Sequence, residues 1–99
     1  MLKIEKTGNG SVLCVALTGR LDTTTSPELE QELKDHLAAV SDLTIDMSAL
    51  DYISSAGLRV LLSAQKTMNK QGKMRVTNVN QTILEIFEVT GFTDILTIQ

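Results

Sequence analysis

Ninety-nine residues, 42% hydrophobic and 21% charged, suffice for one core and leave little room for a deep cleft between subdomains. A formal charge of −3 draws in no polyanion, and three aromatics (Tyr52, Phe87, Phe92) are too few for base stacking, so no direct nucleic-acid contact is expected. A single cysteine, Cys14, precludes an internal disulfide; with charges breaking up the opening "MLKIEK" and no apolar run near the ~20 residues of a membrane helix, a cytoplasmic protein off the membrane is expected.

"LKIEK" alternates apolar and charged residues, which predicts an edge or half-buried strand. Asn9-Gly10 then marks a two-residue hairpin, because both residues tolerate positive φ. "SVLCVALTG" is a short, β-branched apolar run, read as a strand covered on both faces with Cys14 packed inside it. In "TSPELEQELKDHLAAV", Thr25 or Ser26 caps a helix, Pro27 sits near its first position, and Leu29, Leu33, Leu37 and Val40 recur at helical spacing. His36 falls on that apolar stripe as a core or core-edge residue.

"DLTIDM" is the third strand, with Asp46 near its end. A second helix runs from Ser55 or Ala56 to about Gln71, with Leu58, Leu61, Leu62 and Met68 as its stripe and Gly72 as its stop. "KMRVTN" is a fourth strand, and "NQTILEIFEVTG" a third helix capped by Asn80 and ended by Gly91. The closing "TDILTIQ" fits a strand or a short helix equally well. The order ββαβαβα plus a short C-terminal element predicts one α/β domain over residues 1–99. Its sheet is mixed, an antiparallel hairpin followed by parallel strands, with helices packed on it.

Most chemistry fails on spacing. Ser55, His36 and an aspartate are the residue types of a hydrolase triad, yet Ile53 stands where a Gly-x-Ser-x-Gly elbow needs its first glycine. One His and one Cys cannot build a zinc site, and no glycine-rich phosphate loop occurs, so neither metal nor cofactor is expected. What stands out is "ALDYISSAGLRVLLSAQK": two serines, then Ala56 and Gly57, leave backbone accessible at a loop-to-helix junction. Carboxyl ends of strands and amino ends of helices converge on one surface in α/β sheets, which would gather Asp22, Asp46, Ser54 and Ser55 into one patch. The plainer reading is that Ser54 or Ser55 caps its helix and Asp22 closes its own turn.

Together, "LTGRLDTTTSPELEQEL", "LTIDMSALDYISSAGLRVLL" and "FEVTGFTDIL" resemble the STAS domain family, and within it the bacterial anti-sigma factor antagonists. The most specific segment is "DMSALDYISSAGLRVL". The resemblance implies a regulatory protein rather than an enzyme, and a monomer or weak dimer. Its phosphorylated serine falls on Ser55, with Ser54 as second candidate where the family commonly has Asp. It implies a partner surface formed by Asp22, Thr24 and Asp46 with Ser54, Ser55, Ala56 and Gly57; Arg59 joins it from its place on the second helix's polar face. The implied partners are an anti-sigma factor that is also a serine kinase, and a phosphoserine phosphatase. Other STAS roles, as a stressosome-type scaffold subunit or a subunit of a lipid ABC transporter, are the alternatives.

Overall fold

The computed structural model describes residues 2–99. Four strands lie in the order β1 (Leu2–Asn9), β2 (Val12–Leu21), β3 (Asp42–Ile53), β4 (Lys73–Thr77). The β1–β2 pair is antiparallel and the other two pairs are parallel. Helices α1 (Ser26–His36), α2 (Ser55–Gln71) and α3 (Gln81–Thr90) follow β2, β3 and β4. The predicted order and mixed sheet are therefore present.

The hairpin loop is Gly10-Ser11, one residue later than the Asn9-Gly10 reading, because Asn9 still pairs with Val12. Gly10 has φ +65, as the first central position of a two-residue turn requires, whereas Asn9 keeps a negative φ.

One face of the sheet is buried and the other is not. Val15 and Leu17 of β2, Leu43, Ile45 and Met47 of β3, and Met74 and Val76 of β4 join Leu29, Leu33, Leu58, Leu61, Met68, Ile83 and Phe87 from the helices in one core. The alternate residues, Cys14, Ala16, Thr44, Asp46, Arg75 and Thr77, are only half-buried. This corrects the expectation that β2 is covered on both faces: Cys14 sits beside Thr44 on the partly open face, not in the core.

Two further expectations change. α1 stops at His36, and Leu37 and Val40 stay buried from a loop whose carbonyls accept hydrogen bonds from Gln71 Nε2. Periodicity overran the helix because the loop keeps its apolar residues inward. His36 is exposed and bonds through Nδ1 to the Glu32 carbonyl oxygen at 2.8 Å, so it belongs to neither core nor core edge. At the chain end, a 3₁₀ turn (Phe92–Asp94) precedes a single parallel bridge, Ile98 to Val76.

The largest departure is β3, which has 12 residues. "SALDYI" reads as a loop but stays paired with β2 by means of two bulges. The stretch from Ala16 to Thr18 faces Asp46 to Ala49, and Gly19 to Arg20 faces Leu50 to Tyr52. The extra residues bend β3 while Leu50 and Ile53 remain buried, and the strand delivers Ser54 to the end of β2.

α2 meets that end at Gly57, which is buried. A Cβ there would come within 2.8 Å of both Ile53 Cγ1 and Leu21 Cγ. Gly57→Ala should thus gain up to ~1 kcal/mol of helix propensity but lose about 1–3 kcal/mol to overpacking. We expect a lower urea midpoint at unchanged slope; a raised midpoint would show that the contact relaxes at no cost.

Candidate functional site

The site is built where β2 and β3 end. Leu21 pairs with Ile53, and Ser54 N donates to the Leu21 carbonyl at 2.9 Å, so the β2–α1 loop and the start of α2 emerge side by side. Ser54 is extended (φ −99, ψ 175) and caps α2, its half-buried Oγ accepting from Gly57 N at 3.4 Å. Ser54 O accepts from Leu58 N. The amides of Ser55 and Ala56 therefore have no acceptor among the described residues, which gives the helix start a positive character.

Ser55 is the first residue of α2 and is exposed. Its hydroxyl has no hydrogen-bond partner among the described residues, whereas Ser54 is committed to the cap. Ala56 is half-buried and Gly57 is buried. The sequence suggests that both small residues open the backbone to a visitor; only Ala56 reaches the surface, and Gly57 is small because Leu21 and Ile53 press on it. Arg59, one turn further, is exposed. Arg59 and Ala56 line a groove of about 180 Å³ against Thr23, Ser26 and Pro27 of the neighbouring loop and helix.

Asp22 organises that loop. Its Oδ1 accepts from Thr24 Oγ1 (2.8 Å), Thr24 N and Thr25 N (both 3.0 Å). Thr25 does not cap α1 with its side chain. Its buried hydroxyl instead accepts from Asp22 N and donates to the Arg20 carbonyl, both at 2.8 Å. The Thr24 hydroxyl, followed by the Thr25 amide, holds the Asp22 carboxyl down at about 2. Arg20 Nε lies 3.9 Å from Asp22 Oδ2, and its guanidinium sits 4.4 Å over the Tyr52 ring. Arg20 and Tyr52 were not singled out as site residues from sequence, and Thr25 only as a helix cap; the bulge that places Arg20 beside Tyr52 leaves no periodic signal.

Asp46 does not join this patch. It lies mid-strand, where β4 ends, and because Asp46 pairs with Ala16 and Ile53 with Leu21, Ser54 lies roughly 17–20 Å further along the sheet at strand rise. Its Oδ1 accepts from Ser48 N (2.9 Å) and Asn78 Nδ2 (3.1 Å). The Ser48 amide, then Asn78, lowers its carboxyl below the ordinary value. Asp46 thus ties the bulged part of β3 to the β4–α3 loop. Among the described residues no cluster could hold a metal, and no helix is long and apolar enough to cross a membrane.

The STAS domain family profile matches residues 3–99. The chain belongs to the STAS domain family. This STAS domain is 34% identical over 86 residues to a protein named as the anti-sigma factor antagonist BtrV of Bordetella bronchiseptica, covering 85% of this chain and 74% of that one. Against the anti-sigma-B factor antagonist of Staphylococcus aureus it is 30% identical over 97 residues, covering 96% and 90%. Among solved structures, an anti-sigma factor antagonist from Mycobacterium paratuberculosis shares the fold with a TM-score of 0.90 at 23% identity, covering 99% and 85%. The Bacillus cell fate determinant SpoIIAA in its phosphorylated form shares it with a TM-score of 0.75 at 16% identity, covering 100% and 91%. The relatives are regulatory binding proteins rather than typical enzymes.

A carboxyl lowered in the folded state stabilises the fold above its unfolded value, and that stabilisation is lost as pH falls through the folded value. For Asp22 the window runs from the ordinary 3.8 down to about 2. In a carbon-detected NMR titration Asp22 should stay ionised to about pH 2, and Thr24→Val should move its midpoint up toward 3.8. An unshifted midpoint in the variant would mean that the Thr24 hydroxyl does not hold the carboxylate.

Proposed function

We propose that this STAS domain is a cytoplasmic anti-sigma factor antagonist. In its unmodified form it docks the surface around Ser55 on an anti-sigma factor, and so frees the sigma factor. The observation that carries the reading is the contrast between adjacent hydroxyls: Ser54 is half-buried and engaged in its cap, while Ser55 is exposed and unengaged. The identities to anti-sigma factor antagonists point the same way.

The domain is the substrate of a kinase, not a catalyst. An anti-sigma factor with serine kinase activity transfers the γ-phosphoryl group of ATP to Ser55 Oγ; the hydroxyl proton is released and ADP leaves. A phosphatase hydrolyses the ester back to serine and inorganic phosphate. The phosphoryl group adds about −1.5 to −2 charges at the start of α2, where the free amides of Ser55 and Ala56 and the helix dipole favour an anion. The fold is therefore kept. The contact is not, because a dianion pressed into a packed interface loses its hydration beside the ionised Asp22. A loss of ~3–4 kcal/mol weakens binding a few hundred-fold, enough for a switch.

Mass spectrometry of the protein from its own cells should find phosphate on Ser55 and none in Ser55→Ala. Ser55→Ala should bind the anti-sigma factor regardless of ATP, and Ser55→Asp should bind it at least tenfold more weakly. Ser54→Ala should still be phosphorylated at Ser55 and lose only ~0.5–1 kcal/mol of stability with its cap. Phosphate confined to Ser54, or a Ser55→Asp variant that binds like the unmodified protein, would contradict the assignment.

A further inference from the structure

We propose that Arg59 is an internal ligand for the phosphate of phosphorylated Ser55, so that one modification occupies both the exposed hydroxyl and the uncommitted cation beside it. The inference rests on the reading of Ser55 as the phosphorylated residue and adds how the modified state is held.

Ser55 and Arg59 are four residues apart on α2, hence neighbours on one face. Helical side chains lean toward the amino end, which puts the turn that carries Ser55 within reach of the long Arg59 side chain, whose groove is lined by Ala56, Thr23 and Pro27. The anion precedes the cation, the orientation that an i,i+4 pair favours. Both residues are exposed, so neither loses much hydration on pairing.

Arg59 is also unclaimed. It takes part in none of the ion pairs among the described residues. The other nearby guanidinium, Arg20, lies over Tyr52 and beside Asp22. Glu30 lines the same groove as Arg59 but lies 3.9 Å from Lys34. Of the charged groups at this end of the sheet, Arg59 would attract a phosphate on Ser55, Asp22 and Glu30 would repel it, and Arg20 is already shared with Asp22. A guanidinium offers a phosphate two parallel N–H donors, which an ammonium cannot, so Arg59→Lys should preserve only part of the effect.

The test installs phosphoserine at position 55 of the full chain during translation, so it does not depend on any cell phosphorylating the protein. The phosphate's second ionisation is then followed by ³¹P NMR. Arg59→Gln should raise its midpoint by ~0.2–0.4 pH unit relative to the parent, Arg59→Lys by less, and 1 M salt should shrink the difference. The same midpoint in parent and Arg59→Gln would overturn the proposal while leaving Ser55 phosphorylation intact; absence of Ser55 phosphate in native cells would instead count against the switch. If the phosphoserine chain fails to fold, a double-mutant cycle of Ser55→Glu with Arg59→Gln replaces it. There, a salt-sensitive positive coupling in thermal stability supports the pairing, and zero coupling overturns it.

Discussion

Everything at the candidate site depends on the contact of Gly57 with Leu21 and Ile53. Those two side chains end adjacent parallel strands, and only a residue without a Cβ lets the first turn of α2 settle on them. The bond from Ser54 N to Leu21 O fixes the same junction from the backbone. With Gly57 turned inward, Ser55 on the opposite side of the same turn faces solvent, and Asp22 emerges alongside. A looser seat would let the helix start tilt, and the difference between a committed Ser54 and a free Ser55 would fade.

The electrostatics of that end of the sheet follow from the same geometry. Asp22 spends its Oδ1 on the Thr24 and Thr25 donors, which keeps it ionised and keeps the loop in one shape. Arg20 balances it from one side, and the amino end of α2 presents unpaired amides from the other. The surface is thus a mosaic of fixed charges of both signs that includes the unengaged hydroxyl of Ser55. Under the function proposed above, such a surface would accept a flat partner when neutral at Ser55 and reject it when a dianion is added, without any rearrangement of the core.

Much of this was legible in the sequence, for identifiable reasons. The order of elements followed from periodicity and from the Ser54, Gly72, Asn80 and Gly91 punctuation, each of which lies at the expected helix end. The special character of "ISSAGLRVLL" was visible because small residues rarely precede an amphipathic helix in such a run. What was hidden depends on pairing between distant segments. The bulges that turn "SALDYI" into strand, and so carry Asp46 away from Ser54, arise from register with β2, which a single sequence does not encode locally. Likewise, whether β2 is covered on one face or both depends on where three helices land, which is why Cys14 lies nearer solvent than its apolar neighbours suggested.

The central claim is that the partner is bound by the surface around Ser55. Amide hydrogen exchange of the full-length protein, free and saturated with its anti-sigma factor, tests it most directly. The account predicts added protection in the β2–α1 loop from Asp22 to Thr25 and in the first turns of α2 through Arg59, with the partly open sheet face of Cys14, Thr44 and Arg75 unchanged. Protection confined to that sheet face, with the start of α2 exchanging as in the free protein, would contradict it.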